Sequence, residues 1–67
     1  MKSKFKVQIW YWNWNYKGKL DKKKLNKEKM LCEKIELSGE RIFSFDNGFY
    51  SMNLSTEQIK KLIIERL

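Results

Sequence analysis

The chain has 67 residues, a formal net charge of +7 at neutral pH, one cysteine and no histidine. This length predicts a single domain over residues 1–67, which would bury only about 60% of the surface of the unfolded chain. The single thiol, Cys32, excludes an intrachain disulfide, and without histidine a zinc site is not expected. The usual general base is also missing, so we predict a protein that is not an enzyme and uses no cofactor or metal.

The amino-terminal residues lack the pattern of a targeting segment. Residues 1–6 are basic, but the run from Val7 to Trp12 is aromatic where such a segment is aliphatic, and Asn13 interrupts it. No stretch approaches the ~20 apolar residues that cross a bilayer. We therefore expect a cytoplasmic protein with no membrane partner.

The first predicted element is a long strand from Lys4 to Tyr16. Its residues alternate with a period of two and are mainly aromatic or β-branched, which is typical of a strand that ends before Gly18. One side of the strand carries Phe5, Val7, Ile9 and Tyr11. The other side carries Trp10, Trp12, Trp14 and Tyr16.

A lysine-rich segment follows at residues 17–29, with seven lysines against Asp21 and Glu28. The apolar residues Leu20, Leu25 and Met30 are five positions apart, a spacing that suits neither a helix face nor a strand face. The pattern predicts a mobile loop.

Three short strands are predicted next, at about 30–37, 41–46 and 49–54. Ser38-Gly39-Glu40 would join the first two, and Asn47-Gly48 indicates a two-residue type I′ turn between the last two. That turn pairs Phe45 with Tyr50 and Phe43 with Met52. The shared apolar face would then consist of Leu31, Ile35, Leu37, Phe43, Phe45, Tyr50, Met52 and Leu54.

Ser55-Thr56-Glu57-Gln58 forms a capping box, the usual start of a helix. The apolar residues that follow have helical spacing, and they are Ile59, Leu62, Ile63 and Leu67, with Ile64 beside them. The predicted fold class is therefore α+β: a small antiparallel sheet of about four strands in the order β-β-β-β-α, with one C-terminal helix packed on one face.

Basic charge is concentrated in the first 29 residues, which favours phosphate contacts. The candidate residues are Lys2, Lys4, Lys6, Lys17, Lys19, Lys22, Lys23 and Lys24. The alternative is that these lysines only keep a small protein in solution, because arginine is the better fork for phosphate.

The first strand has two apolar sides, and a single helix can cover only one of them. If Phe5 and its neighbours enter the core, the side with Trp10, Trp12, Trp14 and Tyr16 stays outside as a candidate partner-binding surface. The alternative is a twist or bulge that returns Trp12 and Trp14 to the core.

Two functions fit these patterns. The first is a non-catalytic protein that docks its aromatic strand on a protein partner or on a second copy of itself, such as a phage or mobile-element inhibitor of a host enzyme or defence complex. The second is a module for single-stranded nucleic acid, which stacks bases on Trp and Tyr and contacts phosphates through lysine.

Overall fold

A computed structural model describes residues 3–67, which form six strands and one short 3₁₀ turn. The strands are β1 (Phe5–Trp14), β2 (Leu20–Cys32), β3 (Lys34–Leu37), β4 (Ile42–Asp46), β5 (Ser51–Ser55) and β6 (Ile59–Arg66). They pair antiparallel in two three-stranded sheets, a first sheet in the order β2-β1-β6 and a second in the order β3-β4-β5. The inner faces of the two sheets share one apolar cluster, so the molecule is a small β-sandwich.

The predicted α+β class is wrong, because the C-terminal segment is a strand and not a helix. Its capping box does form, and the backbone N–H of Ser55 donates to Oε1 of Gln58 at 3.1 Å. The helical backbone ends after the 3₁₀ turn Thr56–Gln58, and β6 follows immediately. Residues 59–66 contain three isoleucines, whose branched side chains favour strands, and pairing with the free edge of β1 satisfies their backbone groups.

A β-bulge explains why β6 has a helix-like sequence. Trp10 of β1 pairs with Lys61, whereas the next residue, Tyr11, pairs with Ile59, so Lys60 is an extra residue in β6. The extra residue brings Ile59 and Leu62 to the same side of the sheet, where both pack against the core. A spacing of three, which ordinarily indicates a helix, is produced here by a bulged strand.

The predicted mobile loop at residues 17–29 is also wrong from Leu20 onward, where the chain forms β2 along one edge of β1. Pairing is interrupted opposite Trp12, where residues 22–25 bulge out of register. The inward positions of β2 are Asn26, Glu28, Met30 and Cys32. Two of these are polar, so the strand shows no apolar period, and its lysines are typical of an edge strand.

The core lies between β1 and the hairpin of β4 and β5. Its buried residues are Val7, Ile9, Cys32, Phe45 and Leu54. Partly buried residues surround them, and these are Phe5, Tyr11, Met30, Ile35, Phe43, Met52, Ile59 and Leu62. The sequence left open which side of the first strand enters the core. The structure places Phe5, Val7, Ile9 and Tyr11 inward, against the apolar side of β4 and β5.

The turn at Asn47-Gly48 is a four-residue loop over 47–50 and not the predicted two-residue turn. Asn47 accepts hydrogen bonds through its Oδ1 from the N–H groups of Phe49 and Tyr50, at 2.8 and 2.9 Å. Phe45 consequently pairs with Met52 and not with Tyr50. A shift of two residues keeps every side chain on its face, so the predicted face survives but Tyr50 itself is exposed.

Leu31 does not join the apolar face as predicted, whereas Leu37 does lie on it, paired with Phe43; the side chains of both leucines are exposed. The chain bends at Glu33, between β2 and β3, and crosses there from the first sheet to the second. The bend places both Cys32 and Ile35 against the core, and Leu31 stays on the outer side of the first sheet.

Across residues 3–67 there is no helix with the length and apolar character needed to cross a bilayer.

The loop between β3 and β4 contains a residue with a left-handed backbone, Arg41, at φ 61°. A side chain is strained there, so Arg41→Gly should raise the free energy of unfolding by about 0.5 to 1 kcal/mol, after allowing for the greater entropy of glycine in the unfolded chain. Urea unfolding followed by tryptophan fluorescence measures the change. Arg41→Ala is the control, because it removes the same charge but keeps the Cβ atom. Equal stability of the Gly and Ala variants would contradict the prediction.

Candidate functional site

The outer side of the first sheet combines tryptophan with lysine from all three strands. We call it the basic face, and it consists of Lys6, Gln8, Trp10, Trp12, Lys22, Lys27, Lys29, Leu31, Lys61, Ile63 and Glu65. These residues share a side because directly paired residues in antiparallel strands point the same way. The face carries five lysines and one glutamate, so its potential is strongly positive.

Trp10 occupies the centre of the basic face, in the middle strand of the sheet. Its cross-strand neighbours are Lys27 on β2 and Lys61 on β6. The Nζ atoms of these lysines lie 4.8 and 5.1 Å from the centroid of the indole ring, within the range of cation–π attraction. The indole ring of Trp10 therefore contacts two ammonium groups, one from each flanking strand.

Trp12 lies one step further along β1, opposite the bulge in β2. The Nζ atom of Lys22 lies 5.2 Å from the centroid of its ring. The backbone carbonyl of Trp12 accepts a hydrogen bond of 3.0 Å from Nε2 of Gln58, a residue that is only 7% exposed. Gln58 thus connects the 3₁₀ turn to β1 at Trp12. From the sequence, Gln58 was predicted only as part of the capping box, and its contact with the site was missed.

Trp14 and Tyr16 continue beyond the basic face toward the turn between β1 and β2. The Trp14 side chain is 45% exposed and that of Tyr16 is 93% exposed. Nζ of Lys17 lies 5.6 Å from the centroid of the Tyr16 ring. Neither Trp12 nor Trp14 belongs to the core, so the alternative in which a twist buries them is wrong.

The predicted phosphate-contact lysines are spread over three locations. Lys6 and Lys22 lie on the basic face, and Lys4 lies just before β1. The others are exposed in the turn and bulge of residues 17–25, and they are Lys17, Lys19, Lys23 and Lys24. Lys2 lies outside the described residues.

Three lysines of the basic face escaped the sequence analysis: Lys27, Lys29 and Lys61. Lys27 and Lys29 do alternate with a period of two, which was an available signal for a strand. Lys61 could be placed beside Trp10 only from the pairing of β6 with β1, because its segment has the spacing of a helix.

Burial acts on two ionisable groups of the inner side. It raises the pKa of the Cys32 thiol, with a further contribution from the carboxylate of Asp46. It also raises the pKa of the Tyr11 phenol, to which Glu28 adds. Both groups therefore stay protonated at neutral pH, and a buried, protonated thiol is a poor nucleophile. Within residues 3–67, no cluster of three or more Cys, Asp or Glu side chains could hold a metal ion.

Gln58→Ala should lower the free energy of unfolding by about 2 kcal/mol, because it leaves the carbonyl of Trp12 and the N–H of Ser55 without their partner. Thermal unfolding by circular dichroism measures the loss. Gln58→Glu is a second variant: it keeps an oxygen for Ser55 but places a carboxylate against the Trp12 carbonyl in a site only 7% exposed, so its loss at neutral pH should be at least as large. A Gln58→Ala protein within about 0.5 kcal/mol of the wild type, the range of ordinary surface changes, would refute this role.

Comparison of the chain with known proteins found no relative. No protein-family model, no curated protein and no solved structure matches the chain. A functional conclusion therefore rests on the side chains themselves, and chiefly on the lysine and tryptophan pairs of the basic face.

Proposed function

We propose that the chain binds single-stranded nucleic acid on the basic face. The observation that carries the proposal is the contact of Lys22, Lys27 and Lys61 with the rings of Trp10 and Trp12, at 4.8 to 5.2 Å. Bases stack on aromatic rings, and phosphates require cations a short distance away. The face supplies both groups side by side on one rigid sheet.

The mixture of charge and aromatic surface decides against an apolar partner. A dry protein interface over Trp10 would have to bury the ammonium groups of Lys27 and Lys61, and burial of an unpaired charge costs several kcal/mol per ion, roughly. A phosphodiester strand neutralises those charges and releases counterions when it binds. The face therefore matches a polyanion that also carries flat apolar groups.

The shape of the fold favours single strands over duplexes. In a duplex the bases are paired and stacked, so an aromatic side chain on a sheet cannot reach their faces. Within residues 3–67 the longest helical element is the turn Thr56–Gln58, which is too short to enter a major groove as a recognition helix. A sheet face that carries partly exposed aromatic rings suits unpaired bases.

The energies of the two kinds of contact allow an exchange on binding. A lysine above an exposed ring contributes about 0.5 to 1 kcal/mol, whereas a stacked base contributes about 1 to 3 kcal/mol. A base can therefore displace the ammonium of Lys27 from Trp10, and the released lysine can contact the adjacent phosphate. The cation–π contacts hold the lysines near their phosphate positions before the strand arrives.

The length of the face sets the size of the site. From Lys6 to Trp12 is six residues along β1, which at about 3.3 Å per residue is roughly 20 Å. This matches the lower end of the range for small β-domains, about 4 nucleotides.

We expect oligothymidylate to quench the tryptophan fluorescence at low salt, with an affinity that falls as salt is added. Lys27→Ala should lower the slope of log K against log salt by about 0.7, the value for one phosphate contact to a single strand. Lys34→Ala is the matched control, because Lys34 lies on the second sheet in an ion pair with Glu36. The slope of log K against log salt should be the same in this variant as in the wild type. Absence of quenching at low salt, or equal slopes in both variants, would contradict the proposal.

A second candidate is docking on a protein, including a second copy of this chain, as in an inhibitor of a larger host complex. The specific observation in its favour is the exposure of large aromatic side chains away from the centre of the basic face. Phe49 is 82% exposed and Tyr50 is 63% exposed, in addition to Trp14 and Tyr16. Surfaces rich in Trp and Tyr are common at protein interfaces.

If the aromatic strand is a self-association surface, light scattering after size exclusion should give the mass of a dimer, and Trp14→Ser should return the mass of a monomer. Phe49→Ser is the control, because it removes an exposed ring from the β4–β5 loop and leaves β1 intact. A monomeric wild type that still binds oligonucleotides would exclude self-association as the function of this strand.

A further inference from the structure

A cleft of about 580 Å³ lies at the end of the first sheet, between the β1–β2 turn and the bulge in β2. It is lined by Asn15, Tyr16, Leu20, Asp21, Lys22 and Lys23. The volume is in the range of small-molecule sites, about 300 to 1,000 Å³. Lys22 belongs to the cleft and also contacts Trp12, so the cleft continues directly from the basic face.

The turn that forms one wall of the cleft is held by its own hydrogen bonds. Oδ1 of Asn15 accepts from the N–H groups of Lys17 and Lys19, at 2.8 and 3.0 Å. The N–H of Asn15 donates to the carbonyl of Lys19 at 2.7 Å, and Gly18 provides the left-handed residue of the turn at φ 75°. Tyr16 is therefore presented to solvent on an ordered turn.

Asp21 is the one acidic residue among those that line the cleft, and four lysines surround it in the segment 19–24. Its Oδ1 accepts a hydrogen bond of 3.0 Å from the N–H of Lys23, which fixes the carboxylate in place. A carboxylate repels the phosphates that lysines attract, so it weakens a site for a phosphate backbone unless it meets a donor. In a nucleic acid the donors are the N–H groups of the bases.

We propose that this cleft binds one guanine nucleotide of the strand held on the basic face, an inference that rests on the function proposed above. Guanine presents two adjacent donors on its Watson–Crick edge, N1–H and the 2-amino group, and these match the two oxygens of the Asp21 carboxylate. On the same edge, the only donor of adenine or cytosine is its amino group, and the only donor of thymine is one ring N–H. The base stacks on Tyr16, and Lys22 and Lys23 contact its phosphates.

The test compares short oligothymidylate with the same oligomer carrying one central guanine, adenine or cytosine, each titrated by tryptophan quenching. Guanine should tighten binding roughly tenfold, within the range for a bidentate base contact. Asp21→Asn should abolish this preference and leave the affinity for oligothymidylate equal or higher, because a negative charge is removed. Its amide oxygen can still accept from Lys23, so the turn keeps its hydrogen bond.

Asp46→Asn is the matched control. Asp46 also accepts a backbone N–H through Oδ1, from Gly48 at 2.8 Å, but it lies in the β4–β5 hairpin of the second sheet. The same change of charge, made on the second sheet and away from the cleft, should leave the preference for guanine intact. Tyr16→Ala should weaken binding of every oligomer about fivefold or more, and Tyr16→Phe should not, because the phenyl ring still stacks.

The outcomes separate the two proposals. Salt-dependent binding without a preference for guanine would overturn the assignment of the cleft and leave the proposed function standing. A preference that persists in Asp21→Asn would also overturn it, since guanine would then be recognised elsewhere. If no oligomer binds, the proposed function fails and the cleft assignment fails with it.

Discussion

β1 lies between β2 and β6, and this central position determines most of the structure. Both edges of its backbone are hydrogen-bonded, and the side chains of Val7 and Ile9 are fully buried against the second sheet. Complete burial of each such side chain contributes about 1.5 to 3 kcal/mol, a large share of the stability of a small domain. The pleat then fixes the opposite side of the strand. Once Val7 and Ile9 point inward, Trp10 and Trp12 must point outward.

Two irregularities allow so short a chain to build two packed sheets. The bend at Glu33 passes one continuous segment from the first sheet to the second, so β2 and β3 cover both halves of the core. The bulge at Lys60 adjusts β6 so that Ile59 and Leu62 reach the same core. Bulges and bends of this kind are how small sheets curve around their contents. A helix in place of β6 would have left one edge of β1 unpaired.

The same arrangement produces the surface on which the functional proposal rests. Because β1 is central, Trp10 and Trp12 have neighbours from the flanking strands, and those neighbours are lysines. An aromatic strip on a monomer would otherwise be an aggregation hazard. The ammonium groups over the rings of Trp10 and Trp12 make this face charged as well as aromatic. Positive charge and stacking surface thus coincide because of strand order, not because of proximity in sequence.

Several features were predictable because they depend on local physics. Alternation along residues 5–14 identified β1 and its two faces, and the apolar pattern of Phe43, Phe45, Met52 and Leu54 identified the core side of β4 and β5. The register of that hairpin was not predictable, since Asn47 uses its side chain and not a left-handed backbone to form the turn. The error of two residues had no effect on the faces.

The sequence by itself determined that β1 is a strand and that the tryptophans of β1 share one side. It also determined that the first 29 residues of the chain are basic. Only the tertiary structure decided that β2 and β6 are strands, because neither has the apolar period that would identify it. The inward positions of β2 include Asn26 and Glu28, and β6 contains a bulge that imitates helical spacing. Both segments become strands because the two edges of β1 need partners. That is a long-range requirement, and no window of local sequence contains it.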